Sequence, residues 1–162
     1  MFYEELREKA KDGDIMFLTV NKKNILSRIT SFFTRSKFTH AAFLFWYKDR
    51  LMVVESTTHG GMRIVTASHY RDREFDLIPA PVDWKLIEEK ALERAGTADY
   101  GWLSAFYIGV REFFFMHFNM KLPENRGNRN KACSEFVSET LLLEDTDISP
   151  GKLFKLLKNN EK

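Results

Sequence analysis

The chain holds one cysteine, Cys133, in 162 residues. That excludes an intramolecular disulfide framework and any zinc site built from several cysteines, and it fits a reducing compartment. Charge of one sign is also scarce. A net charge of +2, from 25 Lys and Arg against 23 Asp and Glu, is too mild to argue for nucleic acid as a partner. Long apolar runs are missing. The most apolar stretch, Tyr100 to Leu122, is interrupted by Arg111, Glu112 and His117, and a spanning helix needs roughly 20 mostly apolar residues. The opening Met1-Phe2-Tyr3-Glu4-Glu5-Leu6 is acidic and lacks the apolar region of a signal peptide, so the expected location is cytoplasmic. There is no Gly-x-x-x-x-Gly-Lys phosphate loop and no His-Glu-x-x-His helix, and His59 and His69 form no metal spacing. No cofactor and no metal are expected. Internal repeats and low-complexity linkers are absent as well.

What is present is the composition of one globular domain, 1–162, at 44% hydrophobic and 30% charged, long enough to bury a core without staples. Residues 3–11 read as a short helix. Asp14 to Val20 reads as a strand after the turn Lys11-Asp12-Gly13. Ile25, Leu26, Ile29, Phe32 and Phe33 have helical spacing behind the capping residue Asn24. Lys22, Lys23, Arg28, Arg35 and Lys37 decorate the remaining positions. The ordinary expectation for such a helix is an apolar face packed inward and a basic face in water. The functional alternative is contact between segment 25–37 and an anionic or lipid surface.

Phe38 to Tyr47 and Leu51 to Thr57 read as an antiparallel hairpin, with further strands over Met62 to Thr66 and Phe75 to Ala80. A helix is expected from Val82 or Asp83 to Ala95, with Gly96 just past its end. Tyr100 to Met120 predicts a long helix with a break at Gly109. A last short helix follows Ser149-Pro150, and the tail from Lys158 should fray. Strands segregated from helices argue an α+β fold rather than a parallel α/β sheet.

Cys133 follows the polar loop Arg126-Gly127-Asn128-Arg129-Asn130-Lys131 and stands in the first turn of a helix that continues to Leu141. Free backbone N–H groups at a helix start favour a thiolate, and they can hold an oxyanion. Cys133, Phe136, Val137, Thr140 and Leu141 also share one helix face, so a small buried core cysteine is the competing expectation.

A cysteine nucleophile needs a base and a group to orient that base. His40 lies inside a strand among Phe38, Ala41, Ala42, Phe43 and Leu44, where a polar ring needs a reason. His59, His69 and His117 read as surface, loop and packing residues. Glu55 follows Val53-Val54, and its plain reading is a solvated strand-end carboxylate. If the hairpin turn spans Tyr47 to Arg50, His40 faces Thr57 and Glu55 is a diagonal neighbour within reach. If the turn is Asp49-Arg50 alone, His40 faces His59 and Glu55 is too far.

The strings Gly13-Asp14-Ile15-Met16-Phe17, Ser36-Lys37-Phe38-Thr39-His40-Ala41-Ala42-Phe43, Val53-Val54-Glu55-Ser56 and Cys133-Ser134-Glu135-Phe136-Val137, in that order, resemble the circularly permuted NlpC-type papain-like proteins, YiiX-like branch. The resemblance runs from about Asp12 to Leu143. It implies a permuted papain-like fold, with an antiparallel sheet packed against helices that include the late nucleophile helix. It also implies a cysteine hydrolase acting on a peptide or isopeptide amide, including peptidoglycan-derived amides, through Cys133, His40 and Glu55. The family's Tyr-Asp-Tyr pattern is matched only in part by Ala98-Asp99-Tyr100-Gly101-Trp102, which makes Tyr100 a candidate oxyanion or substrate residue. The fold also serves lipid acyltransferases and thioesterases, whose late motif Asn-Cys-Glu-His-Phe differs from Ala132-Cys133-Ser134-Glu135-Phe136. A non-catalytic binding or structural module, such as a phage component, is the third expectation. A phage-encoded chain would reside in a host cytoplasm or a virion.

Overall fold

Ile15, Met16, Phe17 and Leu18 are buried one after another, without the alternation of a half-exposed strand. A strand of that kind must be covered on both faces. The computed structural model of the chain describes residues 1–57, 61–94, 102–123 and 132–160. In it this segment is β1 (Ile15–Thr19), near the middle of a five-stranded sheet with β2 (Phe38–Tyr47), β3 (Arg50–Thr57), β4 (Gly61–Thr66) and β5 (Phe75–Ile78). The order is β4-β3-β2-β1-β5, and every pairing is antiparallel. The fold is α+β.

The helices are α1 (Tyr3–Lys9), α2 (Ile25–Thr34), α3 (Trp84–Arg94), α4 (Trp102–Phe118), α5 (Cys133–Thr140) and α6 (Pro150–Asn160). One core gathers Ile15, Phe17, Phe43 and Val54 of the sheet with Ile87, Phe136 and Leu153 from α3, α5 and α6. A second core places Leu6 of α1 and Ala67 against Met16, Leu44, Val53 and Phe75. Burial on the two sides of the sheet supplies the hydrophobic drive for the fold.

The β2–β3 register pairs Tyr47 with Arg50 and Phe43 with Val54. That is the first of the two hairpin registers, the one that brings Glu55 toward His40. Between β1 and β2 the register slips. Leu18 pairs with His40 and Thr19 with Phe38, so Thr39 is left over as a bulge residue beside the histidine. Bulges re-aim neighbouring side chains.

Three expectations need correction. α4 runs through Gly109 without a break, and a Cβ built on Gly109 would meet nothing within 4 Å. Glycine weakens a helix interior but does not by itself stop one. The helix ends at Phe118 rather than Met120 because Asn119 turns left-handed at φ 51, where its N–H bonds to the Phe115 carbonyl at 3.0 Å. His117 is exposed rather than packed within a core, with Nε2 3.2 Å from an Arg35 guanidinium nitrogen. Gly96, His59 and the 126–131 loop lie outside the described residues. Among the described residues no helix is long and apolar enough to cross a membrane.

Candidate active site

Cys133 is the first residue of α5, and the Phe136 N–H closes the first helical bond onto the Ala132 carbonyl at 2.9 Å. The Cys133 N–H therefore has no acceptor inside the helix. Ala132 has no side-chain acceptor. Its own N–H donates to Glu135 Oε2 at 3.1 Å, which is half of a capping box. α5 packs against β2 and β3, so the cysteine meets the strands that carry the other two candidates. Cys133 is 6% exposed.

His40 Nε2 lies 2.7 Å from Glu55 Oε2. The imidazole also lies close enough to the Cys133 sulfur for each to shift the other's ionisation. With Nε2 engaged by the carboxylate, Nδ1 is the nitrogen that serves the thiol. The backbone N–H groups of Ala41 and Ser134 also favour the thiolate.

Glu55 is fully buried, which an isolated carboxylate could not tolerate. It has partners on both oxygens. Oε1 accepts from Arg63 Nε at 2.9 Å, with an Arg63 Nη2 contact of 2.9 Å to the same oxygen. Oε2 accepts from the Tyr70 hydroxyl as well as from His40. Arg63 sits directly across from Glu55 in the β3–β4 ladder, and Tyr70 ends a single 3₁₀ turn that follows β4.

These contacts set the charges. Burial would raise the Glu55 carboxyl, but the hydrogen bonds from His40, Tyr70 and Arg63 outweigh it and bring the group to about 2. Burial would lower the imidazole, yet the Cys133 sulfur and then Glu55 outweigh burial and push His40 up to about 10. Burial would likewise raise the thiol, and the His40 charge and hydrogen bond hold it below its ordinary range. Burial and the neighbouring Glu55 charge push the Tyr70 phenol up, so it stays protonated and donates. Glu55 and Arg63 form one opposite-charge pair, and the shifts of Cys133 and His40 favour a thiolate beside an imidazolium.

A cavity of about 300 Å³ opens beside Cys133. Cys133 and Ser134 line it together with Thr39 and residues of α2 and α4. The structure thus brings Cys133, His40 and Glu55 into one connected group. Tyr100 lies outside the described residues. His69 is exposed, and its ring stands perpendicular to the Tyr70 ring with centroids 5.0 Å apart.

Sequence reasoning missed Arg63 and Tyr70. Arg63 left a signal, because it and Glu55 are equally far in sequence from position 59, and opposite charges at such positions face one another when the two strands pair. Tyr70 left none, since a 3₁₀ turn has no period to read.

Among the described residues no group of three or more His, Cys, Asp or Glu side chains gathers as a metal site. No protein-family model matches the chain, and no curated protein matches it.

Proposed function

We propose that this protein is a cysteine hydrolase that cleaves an amide bond through an acyl-enzyme on Cys133, on a permuted papain-like fold. The observation that carries the reading is the buried chain of contacts from Cys133 through His40 to Glu55, closed by the 2.7 Å Nε2–Oε2 bond. A core cysteine needs no imidazole, and an imidazole in a strand needs no buried carboxylate behind it. The fold reading rests on the order of the parts. Histidine and glutamate lie on neighbouring antiparallel strands, and the cysteine opens a later helix that packs on those strands.

The roles follow from the geometry. The thiolate attacks the carbonyl carbon, and an S–C bond forms. Negative charge moves to the carbonyl oxygen, where the Cys133 N–H at the start of α5 is the donor in reach of it. The C–N bond then breaks, and the amine leaves with the proton that His40 carried. Water, deprotonated by the now neutral imidazole, hydrolyses the thioester and restores the thiolate–imidazolium pair. Glu55 holds the imidazole so that Nδ1 faces sulfur, and Arg63 and Tyr70 hold Glu55.

The test is acylation by p-nitrophenyl acetate, followed by intact mass. The expected result is one acetyl group on the wild type and none on Cys133→Ala. Equal acetylation of both chains would sink the proposal.

A further inference from the structure

α2 is mounted with its polar side inward. Ser27 Oγ lies 3.1 Å from Thr39 Oγ1 of β2 and accepts from the Asn21 N–H at 2.8 Å. Ser31 Oγ donates to the Ser36 carbonyl at 2.7 Å. The apolar stripe, Ile25, Ile29, Phe32 and Phe33 at i, i+4, i+7 and i+8, is left facing outward, with Phe32 74% and Ile25 70% exposed. Amphipathic helices of globular proteins normally do the reverse. The inward apolar face expected from the sequence is therefore overturned.

α4 continues this surface. Phe106 is 72% exposed, Phe115 and Phe118 are exposed too, and the Phe33 and Phe113 rings meet edge-on at 5.9 Å. The cavity at Cys133 opens between these two helices. Its walls are Ile29, Phe33, Phe106, Ile108 and Val110, its polar lining residues include Thr39, Cys133 and Ser134, and among the described residues no charged residue lines it. An aliphatic chain needs nothing more from a cavity, whereas a charged peptide would need ionic partners.

Charge says what lies against this face. From Ile15 to Lys48 the chain holds no Asp or Glu. Lys22, Lys23 and Arg28 are exposed and make no ion pair among the described residues, while Arg35 meets His117 and Lys37 pairs with Asp76. Arg28 and Arg35, seven residues apart, run along one edge of the apolar stripe. Exposed apolar side chains edged by cations fit the interface of an anionic bilayer.

We propose that the substrate is an N-acylated lipid presented by an anionic bilayer, with α2 and α4 seated on the bilayer and the cavity between them taking the acyl chain. This rests on the hydrolase reading above and names its substrate. The thiolate forms the S–C bond to the acyl carbonyl, and the C–N bond breaks. The lipid amine leaves with the His40 proton, and water releases the fatty acid from sulfur.

Two measurements on the full chain test it. In the first, acyl-enzyme formation on Cys133 is timed with p-nitrophenyl acetate and p-nitrophenyl decanoate, with Cys133→Ala as the blank. Decanoate is expected to react at least about tenfold faster. Equal rates, with Cys133 acylated by both, overturn the lipid proposal and leave the hydrolase standing. No acylation by either ester, with alkylation of Cys133 indifferent to His40, removes the hydrolase reading and this proposal with it. In the second, the protein is sedimented with vesicles of phosphatidylcholine, with or without phosphatidylglycerol. Binding is expected only with phosphatidylglycerol and should fall as salt rises. The double substitution Ile25→Ser, Phe32→Ser should weaken it at least about tenfold with an unchanged circular dichroism spectrum, since both side chains are exposed. A dimer in sedimentation velocity without vesicle binding assigns this face to a second copy and overturns the proposal.

Discussion

His40 meets Glu55 through Nε2, at 2.7 Å from Oε2, which leaves Nδ1 as the ring nitrogen for the Cys133 sulfur. The thiolate is therefore stabilised by a ring whose orientation is fixed from behind. Alkylation by iodoacetamide reads this directly. An ordinary thiol with a pKa of about 8.5 is ionised to well under about 1% at pH 6. Wild type is expected to label fast at pH 6. His40→Ala should slow labelling there by at least about tenfold and move the profile to pH 8.5 or above, because burial alone raises the thiol. A profile unchanged by the substitution would remove the thiolate–imidazolium pair from the mechanism.

Glu55 ties stability to pH. Its folded value, about 2, lies below the ordinary 4.5. A depressed carboxyl contributes stability above its unfolded value and loses it as pH falls through the folded one. The window is thus from about pH 4.5 down to about pH 2, and the amount is on the order of 3 kcal/mol. Urea midpoints of wild type and Glu55→Gln should differ most above pH 5 and converge as pH falls toward 2. A gap that stays constant through this window would mean that Glu55 is not ionised in the folded protein.

The strand positions, the β2–β3 antiparallel hairpin and the α+β class are readable in the sequence because turn residues and capping residues are local signals. Asn24 caps α2 by accepting from the Ser27 N–H at 3.1 Å, and Ser149-Pro150 opens α6 with Ser149 Oγ 3.3 Å from the Lys152 N–H. The same local signals left the hairpin register open, and it alone decides whether Glu55 reaches His40. They also misjudged α2. Helical spacing reveals that Ile25, Ile29, Phe32 and Phe33 share a face, but not which way that face points. Hydroxyls of Ser27, Ser31 and Thr39 settle the direction, the Ser27–Thr39 contact joining the helix to β2 and Ser31 bonding the Ser36 carbonyl, partners that the period cannot see.

Gly151 and Ser36 join α6 to the segment between α2 and β2. A Cβ built on Gly151 would collide with both Oγ and Cβ of Ser36, and Gly151 sits at the start of α6, where only its hydrogen fits. Gly151→Ala is expected to lower the thermal midpoint, with a cost of about 1–3 kcal/mol for the overpacked contact. Ser36→Gly placed in the same chain removes both atoms and should recover most of the loss. Failure of that second change to restore stability would locate the strain elsewhere.

Gly109 gives the opposite case, because its Cβ position is open and the residue lines the cavity at Cys133. Alanine there supplies a better helix former without a clash, and the gain is about 1 kcal/mol at most. Gly109→Ala should therefore raise the thermal midpoint by a few degrees. Phenylalanine at the same position puts a ring into the space between α2 and α4. If an acyl chain lies in that space, Gly109→Phe lowers the decanoate-to-acetate ratio for acylation of Cys133 by about tenfold or more. A Cβ at this position meets nothing within 4 Å, so the ring enters open space, and circular dichroism checks that the helix is kept. An unchanged ratio in a folded Gly109→Phe chain would show that the chain-binding space is not the one between these helices.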